Sequence, residues 1–116
     1  MNQFICYPKC STCMKAKKML DENQCEYTFR DIKEDRLNEE ELTAIYQKSN
    51  LPLKRFFNTS GLLYKEYQLK DKLPTMSEKE MIKLLATNGM LVKRPILIKD
   101  DQVLVGFKEE EYRKVL

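Results

Sequence analysis

The chain has 116 residues, 42% hydrophobic and 34% charged, the balance of an ordinary soluble domain with room for one core and not two. Its net charge of +3 is too small to argue for nucleic acid as a direct ligand. No apolar run approaches the roughly 18 residues of a membrane span, and Met1-Asn2-Gln3-Phe4 opens a strand rather than a signal peptide.

In chain order the pattern predicts strand, helix, strand, helical middle, helix, two strands and helix. The first strand covers about Gln3 to Tyr7. A basic amphipathic helix follows from Ser11 to Glu22, with Ala16, Met19 and Leu20 inward. Glu26 to Arg30 alternates as a second strand. Asn38 with Glu41 is a capping box, opening a helix that turns Leu42, Ile45 and Tyr46 inward. Pro52 starts a short helical piece through Arg55, Phe56 and Phe57, ended by Asn58-Thr59-Ser60-Gly61. Ser77 with Glu80 repeats the capping box before a stripe of Met81, Leu84 and Leu85, and Asn88-Gly89 stops that helix. Ile96-Leu97-Ile98 and Val103-Leu104-Val105 flank a polar turn as a hairpin. The last helix turns Tyr112, Val115 and Leu116 inward.

Strand–helix–strand at the start implies a parallel crossover, and hairpin–helix at the end an antiparallel edge. A four-stranded mixed α/β sheet with helices on both faces satisfies both. The expected organisation is a single domain over 1–116, with a core of 1–35 and 77–116 and a helical insertion at 36–76.

The residues with chemistry are cysteines. Four of them without an export signal point to a reducing, cytoplasmic setting, where a close pair is catalytic or redox-sensing rather than a permanent staple. The absence of histidine removes Cys–His nucleophile pairs, histidine general bases and mixed Cys/His zinc sites. Cys10-Ser11-Thr12-Cys13 falls where the first strand gives way to the first helix. A thiol there meets the positive end of the helix dipole and unpaired backbone N–H groups, which favour thiolate; activated thiols titrate at roughly 3.5–7.5 against about 8.5 for a free one. Lys9, Lys15 and Lys17 push the same way. Cys10 is therefore the candidate nucleophile and Cys13 the resolving thiol, with the N–H groups of Ser11, Thr12 and Cys13 as an anion cradle. Arg94 adds a donor for an oxyanion or a glutathione carboxylate. Cys6 and Cys25 read as small buried hydrophobes. The spacing Cys6-x3-Cys10-x2-Cys13 matches a radical-SAM cluster motif, but Cys6 sits inside an apolar strand and 116 residues cannot build the surrounding barrel. Four-thiolate zinc would need ligands converging from two strands and a helix, so no metal is expected.

A cysteine pair opening the first helix, with Arg94-Pro95 before a late strand, resembles the thioredoxin fold. Tyr7 to Cys13, Lys54 to Gly61 and Lys93-Arg94-Pro95-Ile96 together resemble the arsenate reductase-like family of glutaredoxin relatives, which includes the Spx-type regulators. The resemblance covers essentially the whole chain. It implies a catalytic Cys10, an oxyanion-holding Arg94 and a structural, cis Pro95. Two further family arginines fall where this chain carries Asn58 and Val105-Gly106-Phe107, with Arg55 offset by about one helical turn.

The implied function is a thiol-dependent oxidoreductase that takes a small oxyanion or a disulfide. Its partners would be glutathione as co-substrate, glutaredoxin or thioredoxin, with no resident cofactor. The alternative is an Spx-type redox-sensing regulator whose insertion docks on RNA polymerase.

Overall fold

The computed structural model describes residues 2–116. Strand β1 (Gln3–Cys6), helix α1 (Ser11–Glu22) and strand β2 (Thr28–Asp31) form the parallel crossover. Strands β3 (Ile96–Lys99) and β4 (Gln102–Val105) form the antiparallel hairpin, and β3 lies against β1. The sheet order is β2-β1-β3-β4, a thioredoxin-like arrangement. Between the two halves come α2 (Glu39–Ser49), a 3₁₀ turn (Leu53–Phe56), α3 (Leu62–Glu66), α4 (Leu69–Lys72) and α5 (Glu78–Leu85); α6 (Glu109–Val115) closes the chain.

The period-2 pattern of the inner strands builds two cores. Phe4, Cys6 and Leu97 face α1 and α6, meeting Cys13, Ala16, Leu20 and Tyr112. Their neighbours Ile5, Ile96, Val103 and Val105 face the other way, toward Leu42 and Ile45 of α2 and Ile82 and Leu85 of α5. Leu53, Phe56, Phe57, Leu69 and Leu73 belong to that second cluster, so the middle helices are packed on the sheet.

The departures from the sequence pattern have local causes. The second strand lies at Thr28–Asp31 rather than 26–30: it is an edge strand whose register is set by β1, and it leaves Phe29 41% exposed. Tyr27 instead packs edge-on to Phe4 at 5.5 Å. In α1 the buried stripe is Cys13, Ala16 and Leu20, with Met19 half-buried. In α5 the buried residues are Ile82 and Leu85, while Met81 and Leu84 sit at the margin. Tyr46 is also marginal, its hydroxyl bonding Glu78 of α5. Leu116 lies one residue past α6 and is 36% exposed.

Asn88-Gly89 does not cap α5, whose C-cap is Ala86. Asn88 accepts from the N–H of Met90 (2.9 Å) and starts a new 3₁₀ turn, Gly89–Leu91. Gly89 is glycine because a Cβ there would stand 1.9 Å from the carbonyl oxygen of Ile32. Gly89→Ala must push that turn off β2's exit and should destabilise the fold by about 1–3 kcal/mol in denaturant unfolding, as overpacking against backbone does; an unchanged midpoint would mean that the turn shifts away from Ile32 without cost.

Both predicted capping boxes form, on Asn38/Glu41 and Ser77/Glu80. Glu41 has a second role: Arg30 of β2 pairs with its carboxylate and donates to the carbonyls of Asp35 (2.8 Å) and Arg36 (3.0 Å), tying the edge strand to the start of α2. The guanidinium holds Glu41 below the usual carboxylate range. The unfolded chain, titrating near about 4.3, therefore binds the proton more readily; the pair stabilises above that pH and its contribution fades as pH falls through the lower folded value. Because Glu41 is partly solvated, Glu41→Gln should cost only about 1 kcal/mol at neutral pH. That difference from the unsubstituted protein should shrink below about pH 4 in urea titrations.

Candidate active site

Cys10 is the N-cap of α1, with extended backbone (φ −93°, ψ 122°). A tight turn delivers it: its N–H donates to the Tyr7 carbonyl at 2.9 Å, and its own carbonyl accepts from Met14 at 3.1 Å. No side chain caps the helix, so the first-turn N–H groups at Ser11, Thr12 and Cys13 remain available as donors beside the sulfur. Cys10 is half-buried in the wall of a cleft of about 640 Å³.

The far wall comes from distant sequence. Lys93 donates its backbone N–H to Phe56 at 2.7 Å, Asn58 donates to Leu91 at 2.8 Å, and Phe57 and Val92 form an antiparallel bridge between them. This short ladder sets Asn58 and Ser60 on one side of the cleft and Met90, Lys93 and Arg94 on another; Leu62, Leu63 and Glu66 of α3 complete the rim. The Arg94–Pro95 bond is cis, Pro95 is buried, and its carbonyl accepts from Gly106 at 2.8 Å. Gly106 is at φ +83°, where a side chain would be strained.

Arg94 lies in the cleft wall with its guanidinium over the Tyr7 ring, 5.4 Å from the centroid. Among the described residues, Nη1 makes only long contacts of 3.5 Å to the carbonyls of Met90 and Val92, and Nε is buried without a partner. An unsatisfied charged donor in a cleft wall favours an anionic group there.

Cys13 lies beneath Cys10, fully buried. Its Sγ accepts from the Tyr7 N–H at 3.3 Å, and its thiol interacts with both Cys6 and Cys10. The adjacent Cys6 thiol and burial push Cys13 well above the ordinary thiol range, so it stays protonated at neutral pH. All four cysteines are free thiols. Among the described residues no three Cys, Asp or Glu side chains come together as a metal-ligand set.

Of the sequence candidates, Cys10, Thr12 and Arg94 line the cleft together, Cys13 lies under it, and Pro95 supports it from the buried side. Ser11 is exposed and does not line the cleft. Lys17 is turned down the helix, pairing with Asp21 at 2.8 Å, and Lys9 and Lys15 are exposed outside the cleft. The cations that line it are Lys93 and Arg94. Arg55 does not line this cleft. Lys93 carries no sequence signal beyond its place beside Arg94-Pro95.

The sheet order, the helices on both faces and a cysteine capping the first helix define a thioredoxin-like α/β protein. The chain belongs to the ArsC family, whose model matches residues 6–115. It is 51% identical over 111 residues to the uncharacterized protein YusI of Bacillus subtilis strain 168, covering 96% of this chain and 94% of the relative. The crystal structure of an ArsC family related protein from Bacteroides fragilis matches with a TM-score of 0.96 and 57% identity, covering 99% and 97% of the two chains. The global transcriptional regulator Spx of Enterococcus faecalis is 31% identical over 110 residues, covering 94% of this chain and 81% of the regulator.

Tyr112 stands behind the thiols, fully buried, and its hydroxyl has no partner among the described residues. Burial, with Cys13 and Cys6 nearby, pushes its phenol above the ordinary range. Tyr112→Phe removes an unsatisfied buried hydroxyl while keeping the ring contact with Phe107 (4.9 Å). Stability should stay level or rise by up to about 1 kcal/mol; a loss of that size in thermal unfolding would mean the hydroxyl is bonded.

Proposed function

We propose that this ArsC family member is a thiol–disulfide oxidoreductase in which Cys10 is the nucleophile and Cys13 the resolving thiol. The observation that carries the reading is the stacking of unlike thiols at one helix start: Cys10 at the cleft, Cys13 buried beneath and in contact with it, and Arg94 with an unpaired Nε in the same wall.

As thiolate, Cys10 attacks one sulfur of a substrate disulfide. The S–S bond breaks, the other half leaves as a thiolate and takes a proton from solvent, and a mixed disulfide remains on Cys10. Cys13 then gives up its proton, attacks the Cys10 sulfur and releases the bound half as a thiol. The resulting Cys10–Cys13 disulfide holds the two electron equivalents of oxidation, and glutathione, glutaredoxin or thioredoxin thiols return it to the dithiol. Asn58 in the cleft and Val105-Gly106-Phe107 outside it stand where the family resemblance expects oxyanion arginines. One arginine in the cleft supports a carboxylate-bearing disulfide better than a bare arsenate.

Cys10→Ser should abolish reduction of oxidised glutathione, a loss of about 10³-fold or more. Cys13→Ser should accumulate the Cys10 mixed disulfide, visible by intact mass. An active Cys10→Ser variant would overturn the assignment.

A second reading, favoured by the 31% identity to Spx, makes the same pair a redox switch whose state governs RNA polymerase binding. Polymerase retained by one redox form of the protein and not by Cys10→Ser would support it over turnover.

A further inference from the structure

A second and larger groove, of about 730 Å³, lies on the other side of the Cys10 cleft's wall. The segment 57–60, a bridge residue running into a turn, is the partition: Phe57 and Thr59 line the groove, Asn58 and Ser60 the cleft, and Lys93 lines both. The groove's floor is apolar, with Phe57 and Leu73 buried and Met76, Met81 and Phe107 half-buried.

Its charged lining is of one sign. Lys54, Arg55, Lys70, Lys93 and Lys108 line it, and no aspartate or glutamate does. Among the described residues none of these five is in a salt bridge. On a chain with 18 acidic residues such segregation is not an average surface, which intersperses both signs. The cations come from the 3₁₀ turn after Pro52, from α4, from the segment before Pro95 and from the start of α6. They reach the lining from four separate segments of the chain. A single oxyanion can meet only one or two of them; a ligand with several spaced negative charges and an apolar centre meets the set. The volume is in the range that holds a specific ligand, roughly 300–1,000 Å³.

We propose that this groove binds an acidic peptide segment with a bulky apolar side chain, carried by the protein whose disulfide Cys10 attacks. The inference rests on the thiol-exchange reading and names its substrate class. A peptide is favoured over a small amphiphile by continuity: through Lys93 the groove adjoins the cleft, and at the cleft rim Leu62 is 84% exposed, an apolar side chain that a longer occupant would cover. The apolar side chain would anchor over Phe57 and Phe107, flanking carboxylates would meet the cationic rim, and the chain continuing past Lys93 would bring its disulfide to Cys10.

The test measures binding apart from turnover, on Cys10→Ser protein, with a fluorescein-labelled peptide Glu-Asp-Glu-Phe-Leu-Glu-Asp-Glu followed by anisotropy. The peptide should bind, weaken with added salt, and bind at least about tenfold more weakly to a Lys70→Glu/Lys108→Glu variant whose thermal midpoint shows it folded. Replacing Phe-Leu by Ser-Ser in the peptide should cost about fivefold or more. The proposal is overturned if a Gln/Asn version binds equally, if charge reversal changes nothing, or if anilinonaphthalene sulfonate or a single-stranded oligonucleotide displaces the peptide at concentrations below its own Kd. Turnover of a mixed disulfide on a cysteine-extended version of the peptide is read separately on unsubstituted protein. Binding without turnover sinks the exchange reading alone, and turnover of oxidised glutathione without peptide binding sinks the groove alone.

Discussion

Two backbone hydrogen bonds, from Lys93 to Phe56 and from Asn58 to Leu91, hold the functional end of this molecule together. They zip the middle helices to the segment that precedes the third strand. From that short ladder follow the place of Arg94 in the cleft, of Asn58 opposite it and of Phe57 on the groove side. It is anchored at both ends by packing. Phe56, Phe57 and Val92 are buried in the core that also covers the sheet, and Gly89 rests its backbone on the Ile32 carbonyl. Ladder bonds of this kind are individually worth about 1 kcal/mol, but they are satisfied in a dry environment where leaving them unmade costs more.

The second organising fact is an asymmetry between two cysteines three residues apart. Both belong to the start of α1, yet one caps the helix at the mouth of a cleft and the other faces the core as the first residue of the stripe Cys13, Ala16, Leu20. Burial and the neighbouring Cys6 thiol keep Cys13 protonated. Helix geometry alone separates an accessible sulfur from a shielded one, which is the arrangement a two-step exchange needs.

Charge is likewise sorted by the fold. In the sequence the lysines nearest Cys10 are Lys9, Lys15 and Lys17, but helix direction sends Lys17 to Asp21 and leaves the others outside the cleft. The cations at the site arrive with the loop before Pro95, more than 80 residues away in sequence. Lys93 is shared with a single-signed groove to which four more positions, Lys54, Arg55, Lys70 and Lys108, contribute, and no local window reveals it.

The sequence by itself determined the elements and their order. Period-2 strands at Phe4, Ile5 and Cys6 and at Ile96 to Ile98, the two capping boxes, and the cysteine pair at a strand-to-helix junction are local patterns, and local patterns are written in neighbouring residues. Arg94-Pro95 was legible too, through its place before a strand and its family resemblance. Tertiary structure alone decided the rest. The exact register of the edge strand depends on its partner β1; the role of Gly89 depends on Ile32; the inward residues of α5 depend on how that helix is rotated against α2. The partition between cleft and groove depends on a bridge joining residues 57 and 92. Each of these is a contact between segments far apart in the chain, fixed only when both are packed, and so carries no signal in either segment alone.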